Sequence, residues 1–359
     1  MNKFQWIYLS IAILLLIYVF FKMNETRRIA LYGTNNFEPF ITINRSMFNP
    51  FIDSETRELN YIKRKDKVKI VNTQDTYTNE KLKEYVIKGS SNSIITGEYA
   101  NLDMIPYLSE RGCRFFDLEV LYVDNKPMVG RTKDKKYEFL DSDNTVLLDN
   151  VLTSIVTNGF TSKSPNPKDP IFIHLRVKSK NKQIYKDIGK SVDFTLKEYL
   201  YNQPVTPDTK LSDLMGKVVL IIDKRFDTNY TDFAACKAGN HSCYNLVDYI
   251  NLESGTNNLL LNTHNEIVDE KTIALTQKQD CQYCTNIEQY RMAIPNEIAS
   301  NSKNPELKKL IMDHGIQIIL CEFHKNDEYL EKYEEFFDEH KSAFVPLLHA
   351  INYFTTSPL

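Results

Sequence analysis

Short apolar runs alternate with amphipathic stretches along most of the chain. Strands are predicted at 84–88, 114–120, 127–130, 170–177, 217–223, 258–262, 290–294 and 315–323. Runs such as KVVLIID at 217–223 are apolar at most positions, the pattern of a strand covered on both faces in a parallel sheet. Helices are predicted at 102–111, 145–157, 181–202 and 326–341. In the last of these, Tyr329, Leu330, Tyr333, Phe336 and Phe337 share one face, which suits packing on a sheet. This alternation predicts an α/β fold, with a (β/α)8 barrel as the leading architecture. A doubly wound sheet is the alternative, but no Gly-rich phosphate loop follows any strand. Residues 229–286, rich in Cys and Asn, break the alternation and read as an insertion or a long barrel loop.

The N-terminus follows a different pattern. Residues 6–21 (WIYLSIAILLLIYVFF) carry no charge and are flanked by Lys3, Trp6 and Lys22. At about 1.5 Å per helical residue the run nearly spans a bilayer core, and no small-residue cleavage site follows it. A retained single-pass anchor over 1–28 is therefore expected, ahead of a polar juxtamembrane lead-in at 29–80. Lys22, Arg27 and Arg28 slightly outweigh the charge on the other flank, which favours a cytosolic body. Glycosylation sequons at Asn24, Asn44, Asn229 and Asn240 argue for the opposite side.

A formal net charge of −3 with acids and bases interspersed leaves no basic stripe, so nucleic acid is not expected as a partner. Oligomeric state is not legible. Cys113 and Cys321 sit in apolar runs and read as buried thiols. Cys236, Cys243, Cys281 and Cys284 suit either a four-thiolate zinc site or two disulfides, and spacing leaves the choice open.

Ordered motifs then carry a resemblance. LKEYVIKGSSNSI (82–94) is similar to L-x-x-Y-F-I-x-S-S-H-N-T-Y, and LSERGCRFFDLEV (108–120) to R-G-C-R-x-x-E-L-D. KPMVG with Arg131 resembles P-x-x-Y-H-G, and DPIFIHLRVKS (169–179) resembles P-V-I-L-S-L-E-N-H. KLSDLMGKVVLIIDKR (210–225) is similar to L-x-x-L-x-G-K-I-L-x-K-x-K, and residues 290–323 more loosely to R-x-Y-P…N-P…G-x-Q-x-V-x-L-N-F. In these stretches the chain resembles the phosphatidylinositol-specific phospholipase C family. The resemblance implies a distorted (β/α)8 TIM barrel of the PLC-like phosphodiesterase type over 81–345. It divides into an X-like half at 81–228, the Cys/Asn-rich insertion at 229–286 and a Y-like half at 287–345, before a tail at 346–359. Its site is expected at the C-terminal ends of the strands.

That family cleaves with two histidines as general base and acid, and its eukaryotic members hold Ca²⁺ with an Asn and carboxylates. Carried over residue by residue, the first histidine falls on Ser91 and the second on Arg131, so neither proton-transfer group is kept. Asn92, Asp117 and Glu119 occupy calcium-ligand positions, while the remaining glutamate position holds Arg176. A guanidinium there repels Ca²⁺, and an internal ion-pair cluster of Asp117 and Glu119 with Arg131 and Arg176 is the expectation. His174 is read as a satisfied core histidine, with a relocated base as the alternative. Arg131, Arg176, Arg291 and Lys224 are the candidate phosphate contacts.

The apolar run and the resemblance together imply a membrane-anchored, catalytically degenerate phospholipase-C-like protein that binds a phospholipid head group. No cofactor is expected, with Ca²⁺ only if it is active. The competing readings are an active phosphoric diester hydrolase with rearranged catalysis and a structural membrane protein, as in a viral envelope.

Overall fold

Side chains alternate between two layers along every long strand, and that alternation defines the architecture. In the strand Phe115–Val123, Phe115 belongs to one apolar cluster with Phe172, Val219, Met292 and Leu320. Its neighbours Phe116, Leu118 and Val120 belong to another, with the helical residues Leu152, Ile155, Ile188 and Phe337. The first cluster fills the inside of a barrel, and the second lies between barrel and helices. The computed structural model describes residues 13–19, 52–64, 66–137, 139–236, 243–279, 281–296 and 303–356.

Among the described residues, eleven strands make one sheet. They are β1 (Tyr85–Ser90), β2 (Phe115–Val123), β3 (Lys126–Val129), β4 (Val146–Leu147), β5 (Ile171–Val177) and β6 (Val218–Asp223), followed by β7 (Leu252–Ser254), β8 (Leu260–Thr263), β9 (Arg291–Ile294), β10 (Ile318–Cys321) and β11 (Phe344–Pro346). Eight run parallel in the order β7-β6-β5-β2-β1-β10-β9-β8. Following the chain, these are the eight successive strands of a (β/α)8 barrel, closed except between β7 and β8. A short connection with a Thr256–Leu259 antiparallel bridge joins those two strands in place of a helix. The X-like and Y-like halves meet where β1 pairs with β10, so they form one barrel. That contact is close: a Cβ added to Gly89 would lie 2.6 Å from Leu320 Cδ2 and 2.7 Å from Phe115 Cβ.

Three boundaries move. The segment expected as an insertion supplies β7 and β8, two strands of the barrel wall. The expected tail instead continues from β11, which pairs antiparallel with β1, into the helix Leu347–Thr356, whose Leu347, Ala350 and Phe354 are buried. The lead-in contributes the helix Ile52–Ile62, which buries Leu59 and Ile62. Most of the expected anchor lies outside the described residues. Its residues 13–19 are helical and exposed, and no helix among the described residues is long and apolar enough to cross a membrane.

The cysteines resolve into local pairs. Cys236 bonds to Cys243 and Cys281 to Cys284, so the four-thiolate zinc set does not form. Cys113 and Cys321 are free and buried, as expected, and burial pushes the Cys113 thiol up to about 12.

Candidate functional site

Strand parity brings the charged residues of the central motifs to one place. Asp117 and Glu119 follow Phe115 on the inner face of β2, and His174 and Arg176 follow Phe172 on that of β5. The two strands are in register, with Asp117 opposite His174 and Glu119 opposite Arg176. All four side chains are buried.

Arg176 is the centre of this group. Its Nε donates to Asp117 Oδ1 at 2.8 Å and its Nη2 to Asp117 Oδ2 at 2.8 Å, a two-pronged pair. Nη1 lies 3.1 Å from Glu119 Oε1, and Nη2 also donates to Asn92 Oδ1 at 2.8 Å. Lys178 Nζ meets Glu119 Oε2 at 3.1 Å, and the Thr132 backbone N–H donates to the same oxygen at 2.9 Å. Asn92 adopts φ 45°, a left-handed conformation that Asn tolerates, and its backbone N–H donates to Asp117 Oδ2 at 3.0 Å. Ser91 Oγ donates to that oxygen at 3.2 Å.

The electrostatics follow from these contacts. Burial alone would raise the Asp117 carboxyl, but Arg176 and the hydrogen bond from His174 outweigh it and hold it well below the usual carboxylate range. Burial opposes Lys178 and Arg176 at Glu119 as well, and the cations again prevail. Both carboxylates are therefore ionised and already neutralised.

Asn92, Asp117 and Glu119 do converge, but on a guanidinium. The oxygens that would bind a hard cation are taken by Arg176, Lys178 and His174, so a calcium ion does not fit this set without expelling Arg176. The expected ion-pair cluster exists with altered membership. Lys178 and His174 join it, while Arg131 stands apart and gives its Nη2 hydrogen bond to Gly97 O at 2.8 Å.

His174 makes a second arrangement. Its Nδ1 lies 2.8 Å from Asp117 Oδ1 and its Nε2 lies 2.8 Å from Ser254 Oγ. Ser, His and Asp are thus linked in the sequence of a nucleophilic triad. Each of the three is 0% exposed, and Ser254 is not among the cavity-lining residues, so no substrate reaches that hydroxyl. His174 is a satisfied core residue, and its position argues against a relocated base.

Above the cluster lies a cavity of about 260 Å³ lined by Ser91, Asn92, Glu119, Arg131, Lys133 and Arg176 on one side. Ile294, Pro295, Asn296, Glu322, His324 and Lys325, which follow or end β9 and β10, complete its wall. This is the mouth at the C-terminal ends of the strands, where barrel enzymes place their sites.

Two expected phosphate contacts lie elsewhere. Arg291 stands at the start of β9 with Met292 and Ile294 taking the inner positions, so it faces outward. There it donates to His314 O at 2.8 Å and pairs with Glu270. Lys224 pairs with Glu253 at 2.9 Å, beyond the end of β6, and does not line the mouth. Lys133, Glu322, His324 and Lys325 are mouth residues not singled out by the motifs, Glu322 within the loosely matching stretch 290–323 and the others outside every one. Their signal was position, since each lies within a few residues of a strand's C-terminal end.

Residues 78–224 match the family model described as phosphatidylinositol-specific phospholipase C, X domain. Among solved structures, L. pealei PLC21 is similar with a TM-score of 0.55 and 12% identity, covering 90% of this chain and 47% of that one. S. officinalis PLC21 is similar with a TM-score of 0.55 and 13% identity, covering 89% of this chain and 47% of that one. The chain thus spans about half the length of these relatives, and at such identity the likeness shows the fold. No curated protein sequence matches. The fold and mouth define a PLC-like α/β barrel. Residues 78–224 thus carry a phosphatidylinositol-specific phospholipase C X domain.

Proposed function

We propose that this protein binds the phosphate of an anionic phospholipid head group at the mouth of its barrel and does not cleave it by the family's acid–base route. The observation that carries this reading is Arg176. It fills the centre of the Asn92–Asp117–Glu119 set, which removes the place for a divalent ion and leaves the mouth cationic. Ser91 and Arg131 stand where the two histidines would, and neither transfers protons near neutral pH. Arg131 and Lys133 supply charge at the mouth, while the Arg176 guanidinium is spent on the carboxylates below.

The protein works at a membrane in this reading, held by the apolar run at 6–21. The Cys236–Cys243 and Cys281–Cys284 disulfides favour an oxidising compartment for the body, opposite to the side that the flanking charges favour.

The test uses the detergent-solubilised full chain. Equilibrium dialysis against inositol 1-phosphate should show saturable binding that Arg131→Gln weakens by about tenfold, the worth of one charge-assisted hydrogen bond. Phosphatidylinositol in mixed micelles should release no inositol phosphate. Release that depends on added Ca²⁺ would overturn the proposal.

A further inference from the structure

Among the described residues, two polar atoms at the mouth are buried without a hydrogen-bond partner, Arg131 Nε and His324 Nδ1. Their residues line the same cavity from different elements, one following β3 and the other following β10. Buried polar groups in native proteins are nearly always satisfied, so an orphan pair at one cavity asks for an explanation. A cationic N–H without an acceptor calls for an anion.

The surroundings of His324 sharpen the point. Its side chain is only 9% exposed. The nearest carboxylate is Glu322, whose Oε1 lies 3.8 Å from Nε2, beyond hydrogen-bond distance, and whose Oε2 is held by Lys325 at 2.5 Å. From the segment after β3 come Arg131 and Lys133, and from β2 and β5 come Glu119 and Arg176, which neutralise one another. Burial first, then Arg131, Lys325 and Lys133, push His324 down to about 3, so it is neutral at physiological pH. Nδ1 has no hydrogen-bond partner among the described residues.

We infer that His324 is a phosphate-binding residue of the mouth, which donates a hydrogen bond to a phosphomonoester dianion and takes up a proton as that ligand binds. This rests on the head-group reading above and deepens it by naming the ligand's charge state and a new contact. The physical reason is a reversal of the local field. Burial and the neighbouring cations together hold His324 neutral; the incoming phosphate offsets the cations, and an opposite charge within about 4–6 Å favours the imidazolium. The doubly charged monoester matches Arg131 and Lys133, for which no ion pair is found among the described residues. The proton taken from solvent stays on the ring while the ligand is bound, and no covalent bond changes.

The experiment is isothermal titration of the detergent-solubilised full chain with inorganic phosphate and with inositol 1-phosphate. It is run at pH ~7.5, where both ligands are mainly dianions, in two buffers of different ionisation heat. Wild type should bind with net proton uptake. His324→Gln should weaken binding by about tenfold and abolish the uptake, which a merely structural role would not do. His324→Asn is the second variant, and unchanged thermal unfolding confirms folding in either. A parallel titration with micelles of a phosphatidylinositol monophosphate distinguishes a lipid head group from the free ester. Tighter binding to the micelles assigns the lipid and equal binding assigns the free ester, both with the same proton linkage. Wild-type binding without proton linkage overturns this inference and leaves the head-group reading standing. Absence of binding overturns both.

Discussion

Arg176 Nη2 donates to Asn92 Oδ1 at 2.8 Å, joining the third strand of the barrel to the turn that follows the first. The same nitrogen holds Asp117 Oδ2 at 2.8 Å. One guanidinium therefore binds together Asn92, Asp117 and Glu119, and the mouth of the barrel has an ion-paired floor.

Removing that guanidinium should be costly. Arg176→Met leaves Asp117 and Glu119 buried with less compensation, and breaking a buried pair costs about 3–5 kcal/mol. Chemical denaturation of wild type and variant measures the difference. A loss below about 1 kcal/mol would mean the pairs contribute no more than surface ones.

The same variant has a pH signature. In wild type, Asp117 and Glu119 are held below their ordinary values, so their stabilisation is complete above the unfolded values and lost progressively as pH falls from there towards the lower folded ones. Without Arg176 the burial contribution weighs more and both carboxyls move upward. The Tm gap between wild type and Arg176→Met should therefore narrow from neutral pH down to ~5, where the variant's carboxyls protonate. A gap that widens on acidification would contradict this cause.

Ser254, His174 and Asp117 should be chemically silent despite their triad geometry, because all three are 0% exposed. A fluorophosphonate probe should not label Ser254 in the folded protein. His174→Ala should lower stability by about 1–3 kcal/mol, since it orphans buried partners. Labelling of Ser254 that His174→Ala abolishes would restore the rearranged-enzyme reading.

Alkylation under denaturing, non-reducing conditions should modify Cys113 and Cys321 alone. Reduction first should expose Cys236, Cys243, Cys281 and Cys284 as well. Modification of all the cysteines without reduction would remove the argument for an oxidising compartment.

Much of this was readable from residues alone, for physical reasons. Spacings of two within FDLEV and IHLRV put Asp117 with Glu119, and His174 with Arg176, on common strand faces, and the structure keeps each pair together. Arg291 was misplaced because a strand's face depends on register, and β9 turns Met292 and Ile294 inward instead. The short strand Leu252–Ser254 gave too few residues for a period, and its Glu253 obscured the apolar signal. His324 escaped because it lies in a turn just past β10, outside every motif, where only the geometry of a closed barrel shows that such turns face one cavity.

The central claim is that Arg176 has taken the place of the metal, and isothermal titration of the detergent-solubilised full chain with Ca²⁺ tests it most directly. The account predicts no binding by wild type, and restored binding by Arg176→Glu combined with Arg131→His, which returns an oxygen donor beside Asn92, Asp117 and Glu119. Tight Ca²⁺ binding by the unmodified chain, lost in Asp117→Asn, would contradict it.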